Sequence, residues 1–300
     1  SFRKCRMLIN PLRTLSIRFP VGVRFLSSTT EASSKPELFE REVYLENRVA
    51  RLVLNAPKIR NSLSYTLMDS LLNELKEVDK IQKLRAVIIA GKGPAFSAGH
   101  DLKELTTETG ADYHKKLFSK CSELMTFIQQ MQLPVIAEVD GVAAAAGCQL
   151  VSSCDVVVAS PKSTFMVPGQ RVGLFCSTPA IPLVRNISRK VAMDMLLTAR
   201  AITAQEALQA GLVSRISKED EEPRFEALKV AEQICQFSKS VTALGKIFFY
   251  TQVELPQRDA YRFGEAVMVE NLKLKDTQEG IDAFIKKRHP EFKHNDEKVH

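Results

Sequence analysis

Two stretches of this sequence combine glycine, alanine and polar residues in a way that leaves backbone donors free for chemistry. In AFSAGHDLKEL at 95–105 a strand ends, Gly99 turns and a helix begins. The peptide N–H groups near His100 then have no partner in secondary structure and can bind an anionic oxygen. In DGVAAAAGCQLVSSCDVVVAS at 140–160 the device recurs: Gly141 turns after a strand, and a helix of small residues starts with nothing bulky over its backbone, open to a ligand. Two such donors aimed at one oxygen form an oxyanion hole, which stabilises an enolate or a tetrahedral thioester by several kcal/mol. Each stretch alone also reads as an ordinary strand-to-helix turn or a tightly packed small-residue helix, and spacing does not establish that the two converge.

The elements that must position these stretches follow from hydrophobic period. EVYLEN and VARLVLN within 40–55 predict a hairpin. Behind a Ser64 cap, Leu67, Leu71, Leu75 and Val78 make one helical stripe over 64–79, followed by a buried strand AVIIAG at 86–91. A helix at 112–131, a strand at 134–139, a small-residue helix near 143–153 and a strand at 155–160 continue the alternation, which predicts an α/β body with parallel pairing. In 198–216, Thr203 and Glu206 form a capping box and Gly211 a stop. Helices are expected at about 222–237, 240–253, 257–274 and 278–287. The predicted organisation is a leader over 1–30, a linker over 31–39, a core over 40–197 and a helical region over 198–300.

Composition excludes several classes. At 300 residues, 45% hydrophobic and 26% charged, the chain can bury a real core. Its net charge of +7 does not describe a nucleic-acid face, because Arg3, Lys4, Arg6, Arg13, Arg18 and Arg24 all precede the first acid, Glu31, and removing them leaves about +1. The basic, acid-free segment 1–30 has the pattern of a mitochondrial transit peptide, which predicts a place in the mitochondrial matrix; the alternative reading is a disordered basic arm on a cytosolic or nuclear protein. Six cysteines show no metal-ligand spacing, so no metal is expected. Glu138 and Asp140 interrupt the longest apolar run, 133–151, so no membrane span is expected. Neither GxGxxG after a strand nor GxxxxGK[ST] occurs, which disfavours dinucleotide and P-loop chemistry.

Taken together, SAGHDLKEL at 97–105, PVIAEVDGVAAAAGCQLVSSCDVVVAS at 134–160, ITAQEALQAGLV at 202–213 and QEGIDAFIKKRHPEF at 278–292 resemble the crotonase (enoyl-CoA hydratase/isomerase) superfamily over about 40–295. The resemblance implies a spiral of ββα units, a C-terminal helical trimerisation region giving a homotrimer or hexamer, and an acyl-CoA thioester as ligand. No cofactor is held permanently; coenzyme A arrives as part of the substrate. The oxyanion donors implied are the backbone N–H groups of His100 and Ala146. Lys58, Arg60, Ala98 and Lys103 are the implied coenzyme A contacts, with Lys287 reaching a neighbouring subunit's ligand. The His100 imidazole reads as a wall of the site, since a helix N-terminus disfavours its charged form.

The departures from the family pattern bear on mechanism. Hydratases of the family carry catalytic glutamates at the places of Gln149 and Gly169; dienoyl-CoA isomerases place an acid at Ser177, and one decarboxylase places a tyrosine at Cys176. A neutral amide cannot titrate to activate water or deliver a proton. Three functions stay open: a hydratase-family lyase or isomerase of mitochondrial acyl-CoA metabolism with atypical residues, a decarboxylase of malonyl-type thioesters, and a non-catalytic acyl-CoA binding or regulatory subunit. If only the acids are missing, Gln149→Glu with Gly169→Glu should create hydration.

Overall fold

The computed structural model describes residues 38–299; the leader expected over 1–30 and the linker up to residue 37 lie outside them. The hairpin forms as β1 (Phe39–Tyr44) and β2 (Val49–Leu54), antiparallel with Tyr44 opposite Val49. Helix α1 (Tyr65–Asp79) starts where the Ser64 side chain accepts from the Leu67 N–H, and it buries the predicted stripe.

Rounds of strand, strand and helix follow. The first is β3 (Ala86–Gly91), β4 (Ala95–Ser97) and α2 (Ala111–Gln130). The second is β5 (Val135–Val139), β6 (Val142–Ala144) and α3 (Ala146–Ser153). The third is β7 (Val156–Ala159) and β8 (Thr164–Met166) with α4 (Ser177–Asn186) and α5 (Arg189–Thr198). Then come β9 (Ala201–Thr203), α6 (Ala204–Ala210), β10 (Arg215–Ile216), α7 (Pro223–Ile234), α8 (Lys239–Gln252), α9 (Gln257–Lys273) and α10 (Lys275–Ile285).

In each round the first strand joins one sheet, of order β1-β2-β3-β5-β7-β10, and the second joins another, of order β4-β6-β8-β9. Pairing from β2 to β10 in the first sheet, and from β4 to β8 in the second, is parallel. This is the α/β spiral of ββα units that the resemblance implies, followed by C-terminal helices. The inner strands β2, β3 and β5 are buried and mostly apolar because both faces of the sheet are covered there. Val87, Ile89, Val135 and Ala137 meet the main core with α1, whereas Ile88, Ile136 and Val158 pack against Ala227, Val230 and Ala231 of α7.

Two expectations are corrected. Residues 142–144 are not the start of a helix: they form β6, held between Ala95–Ser97 and Thr164–Met166. A run of alanines has no period by which to tell strand from helix, so its ladder partners decide. The region from 198 onward, read as helical, also supplies β9 to the second sheet and β10 to the first. The Thr203–Glu206 capping box and the left-handed Gly211 cap around α6 form as expected. Asp155 has a structural role: its carboxylate accepts from the Val135 N–H at 2.6 Å and pairs with Lys246 of α8 at 2.7 Å, tying α8 to the edge of β5.

Candidate active site

The site is built on two loops stapled together by one buried asparagine. The Asn61 side chain accepts from the Ala56 N–H at 2.9 Å and donates to the carbonyls of Lys92 and Ala95 at 3.0 and 2.9 Å. The Ser97 hydroxyl donates to the Asn61 carbonyl at 2.8 Å and accepts from the Gly99 N–H at 3.2 Å. The Ala98 N–H donates to the Arg60 carbonyl, and the Leu63 N–H to that of Gly99. These bonds hold the loop at 56–63, which carries Lys58 and Arg60, against the turn at 95–99 that leads into His100. Sequence reasoning missed Asn61 and Ser97; the signal was there in two short polar residues flanking apolar turns, whose side chains can replace backbone partners.

Gly99 lies at φ +91, a conformation that L side chains rarely adopt, and it presses on the second turn. A Cβ on it would stand 2.8 Å from the Ala145 Cβ, 2.9 Å from the Ala144 carbonyl oxygen and 3.1 Å from the Ala146 nitrogen. The two turns that the sequence presents separately are therefore in contact. Among the described residues, no backbone acceptor takes the His100 N–H, and the Ala146 N–H opens α3, where the helix has no acceptor to offer it. Ala145 sits at φ +48 and ψ −118, a strained conformation for a residue with a Cβ, costing on the order of 1–3 kcal/mol. It is held there by its N–H on the Met166 carbonyl and by its own carbonyl, which accepts from the Gln149 N–H.

Gln149 follows Ala146 by three residues on α3, on the same helical face. Its carboxamide is buried, with Oε1 3.8 Å from the Cys121 sulfur on α2. Burial pushes the Cys121 thiol up to about 12, so it is protonated at neutral pH and is the donor of that long contact. Gly169 lies in the 3-10 turn Pro168–Val172, and its N–H donates to the Cys176 sulfur at 3.2 Å. A Cβ at Gly169 would meet the Leu174 carbonyl oxygen at 2.5 Å and the Cys176 sulfur at 2.8 Å. The space beside Gly169 is thus filled by a thiol from the far side of the loop. Burial pushes the Cys176 thiol up, against the Gly169 N–H, which favours the thiolate. Ser177 is exposed and donates to the Phe175 carbonyl.

The His100 ring is fixed by two contacts. Its Nδ1 is 3.1 Å from the Leu63 carbonyl oxygen, and the ring meets Phe118 of α2 edge-on with centroids 5.4 Å apart. A carbonyl only accepts, so Nδ1 carries the hydrogen and Nε2 the lone pair. Burial holds the imidazole below its ordinary value. Lys58, Arg60 and Lys103 are exposed and without an ion-pair partner among the described residues. Lys287, at φ +54, follows α10, which packs on α9 and α8, and it shares no hydrogen bond with the loops that carry Lys58 and Arg60. A concavity of about 480 Å³ lies elsewhere, between Asp140, Lys162 and residues 219–223, and includes none of these groups.

The sequence model of the Enoyl-CoA hydratase/isomerase family matches residues 45–295. A Xenopus laevis protein named enoyl-CoA hydratase domain-containing protein 3, mitochondrial, is 47% identical over 272 residues, 91% of each chain. The crystal structure of human enoyl-CoA hydratase domain-containing protein 3 superposes with a TM-score of 0.82 at 45% identity, covering 85% of this chain and 100% of that one. An enoyl-CoA hydratase of Mycobacterium smegmatis gives a TM-score of 0.82 at 39% identity, covering 85% and 99%. With the family model running along nearly all the described residues, the chain belongs to the enoyl-CoA hydratase/isomerase family.

Proposed function

We propose that this protein binds an acyl-CoA thioester with its carbonyl oxygen between the N–H groups of His100 and Ala146, and that it does not hydrate it by the two-carboxylate route. The observation that supports this reading is the contact of Gly99, which precedes His100, with the turn at Ala145–Ala146, so that the two turns bearing these donors are in touch. Such donors stabilise negative charge on a thioester oxygen whatever side chains surround them. Lys58, Arg60, Ala98 and Lys103 form the coenzyme A rim, the cations meeting its phosphates. Coenzyme A comes and goes with the substrate.

Gln149 and Gly169 stand where hydratases of the family hold acids, which removes the groups that activate water and return a proton. Decarboxylation of a malonyl-type thioester, whose leaving carboxylate supplies the electrons, asks for enolate stabilisation and a later proton, and is the second reading that the missing acids favour. The mitochondrial names of the relatives and the basic leader support a place in the mitochondrial matrix, in acyl-CoA metabolism. Self-association as a homotrimer or hexamer is supported by exposed apolar side chains on α9 and α10, among them Met268, Val269, Leu272, Phe284 and Ile285.

The test is calorimetric titration and mass spectrometry of crotonyl-CoA and malonyl-CoA with the purified protein. The expected result is binding of crotonyl-CoA with no change in its mass. Gain of water would overturn the reading of Gln149 and Gly169, loss of carbon dioxide would establish the decarboxylase, and absence of binding would overturn the thioester site itself.

A further inference from the structure

At the starting edge of the first sheet three cations gather without a counter-charge. Arg48 and Arg85 stand immediately before β2 and β3, which pair in parallel from Val49 and Ala86, and the Arg85 N–H donates to the Arg48 carbonyl at 2.7 Å. Lys239 opens α8 and is 7% exposed. Its ammonium donates to the Ile81 carbonyl at 3.0 Å, beside the Gln82 carbonyl that takes Arg85 Nη1 at 2.7 Å. The acids nearby are Asp79, Asp276 and Asp296. Asp79 accepts from the Gln132 and Leu133 N–H groups, Asp276 from the Ser238 hydroxyl and the Lys293 and His294 N–H groups, and Asp296 is exposed on the C-terminal tail. Among the described residues none of the three cations forms an ion pair.

The bonds these cations do make leave donors over. Arg85 Nη1 serves two carbonyls, those of Gln82 and Leu84, while Nε is buried without a partner. The Nε–Nη2 edge, whose two parallel N–H groups grip an oxyanion in bidentate fashion, is therefore uncommitted. Arg48 uses Nε alone, on the Leu45 carbonyl, and the Lys239 ammonium uses one of its three hydrogens. Burial, with Arg85 beside it, holds that ammonium below its ordinary value. The same two causes lower His294, whose Nδ1 accepts from the Lys239 N–H at 3.3 Å. The positive end of α8 adds to the field. A cleft lined by Arg85, Pro134, Phe237, Lys239 and Thr242 lies here, too narrow for a free water, so a ligand meets the cations at its mouth, where Arg48 and Arg85 are part-exposed.

We propose that Arg48, Arg85 and Lys239 form an anion site that takes a phosphate group, free or as an ester, at the mouth of this cleft. A phosphate dianion presents several oxygens to donors arriving from three elements, and its charge offsets most of theirs. A carboxylate, planar and singly charged, serves one arginine fork. The site is separate from the thioester site: Arg48 precedes β2 and the loop at 56–63 follows it, so a strand of six residues, about 20 Å, lies between them. It stands whether or not a thioester binds at the other edge.

Calorimetric titration of the full chain with inorganic phosphate and with adenosine 3′,5′-bisphosphate, at constant ionic strength set by sodium chloride, tests this, and the tighter of the two names the source of the phosphate. Arg85→Gln should weaken that binding about tenfold, the worth of a hydrogen-bonded charge. Arg48→Gln gives up only the Leu45 carbonyl bond, so it is expected to fold, and should weaken binding about fivefold. A further measurement needs no variant: the Arg85 Nε–H resonance of the wild type should shift as the tighter ligand is added. Binding of neither ligand, an affinity unchanged in Arg48→Gln, or an unmoved Arg85 Nε–H resonance overturns the assignment, the last two meaning that phosphate is held elsewhere on the chain.

Discussion

The two halves of the candidate site are made of different material. The turns at 97–100 and 144–146 present backbone N–H groups, positioned by a glycine at positive φ, a strained alanine and the Asn61 staple. The region around Gln149, Gly169 and Cys176 depends on side chains for any proton transfer, and none of the three is an acid. Backbone donors persist through side-chain replacement as long as the turns keep their shape, whereas proton transfer depends on single side chains. A chain of this kind can therefore keep a thioester site after losing the groups of hydration.

The strongest way to break the comparison is to attack the backbone half. Gly99→Ala puts a Cβ 2.8 Å from that of Ala145 at a φ of +91. It should cost about 3 kcal/mol in chemical denaturation and abolish thioester binding in titration, even though no side chain of the site has been removed. Retained binding would show that the turns need not touch.

The side-chain half gives a smaller and opposite test. The expectation that Gln149→Glu with Gly169→Glu creates hydration meets an obstacle in the packing: a Cβ at 169 would stand 2.5 Å from the Leu174 carbonyl oxygen and 2.8 Å from the Cys176 sulfur. The double variant should lose about 2 kcal/mol of stability and leave crotonyl-CoA unchanged in mass. Appearance of the hydrated product would show that the loop 169–176 yields easily and that only the acids were missing.

The smallest effect concerns pH. Burial holds His100 and His294 below the ordinary imidazole value of 6.5, so the unfolded chain takes up protons more readily than the folded one. Their contribution is complete above pH 6.5 and is lost progressively as pH falls from there towards the folded values. Denaturation midpoints should decline below that pH, and His100→Phe should flatten the decline; an unchanged slope would mean that the ring is not enclosed.

Local structure was legible wherever neighbours within a turn or two determine it. The Ser64 cap, the Thr203–Glu206 box, the Gly211 stop and the strands AVIIAG and DVVVAS need only their own side chains to be recognised. The two glycine- and alanine-bearing turns were legible for the same reason, through Gly99 and the alanines after Gly141, and so was the absence of acids at 149 and 169. Tertiary structure alone decided that 142–144 pairs as a strand, because alanines take either form and the ladder with 95–97 and 164–166 selects one. It alone decided that Gly99 abuts Ala146, that a sulfur seven residues on fills the space beside Gly169, and that the Leu63 carbonyl leaves the lone pair of His100 on Nε2. Each of these depends on where a distant or returning segment is packed, which propensity and spacing along the chain do not encode.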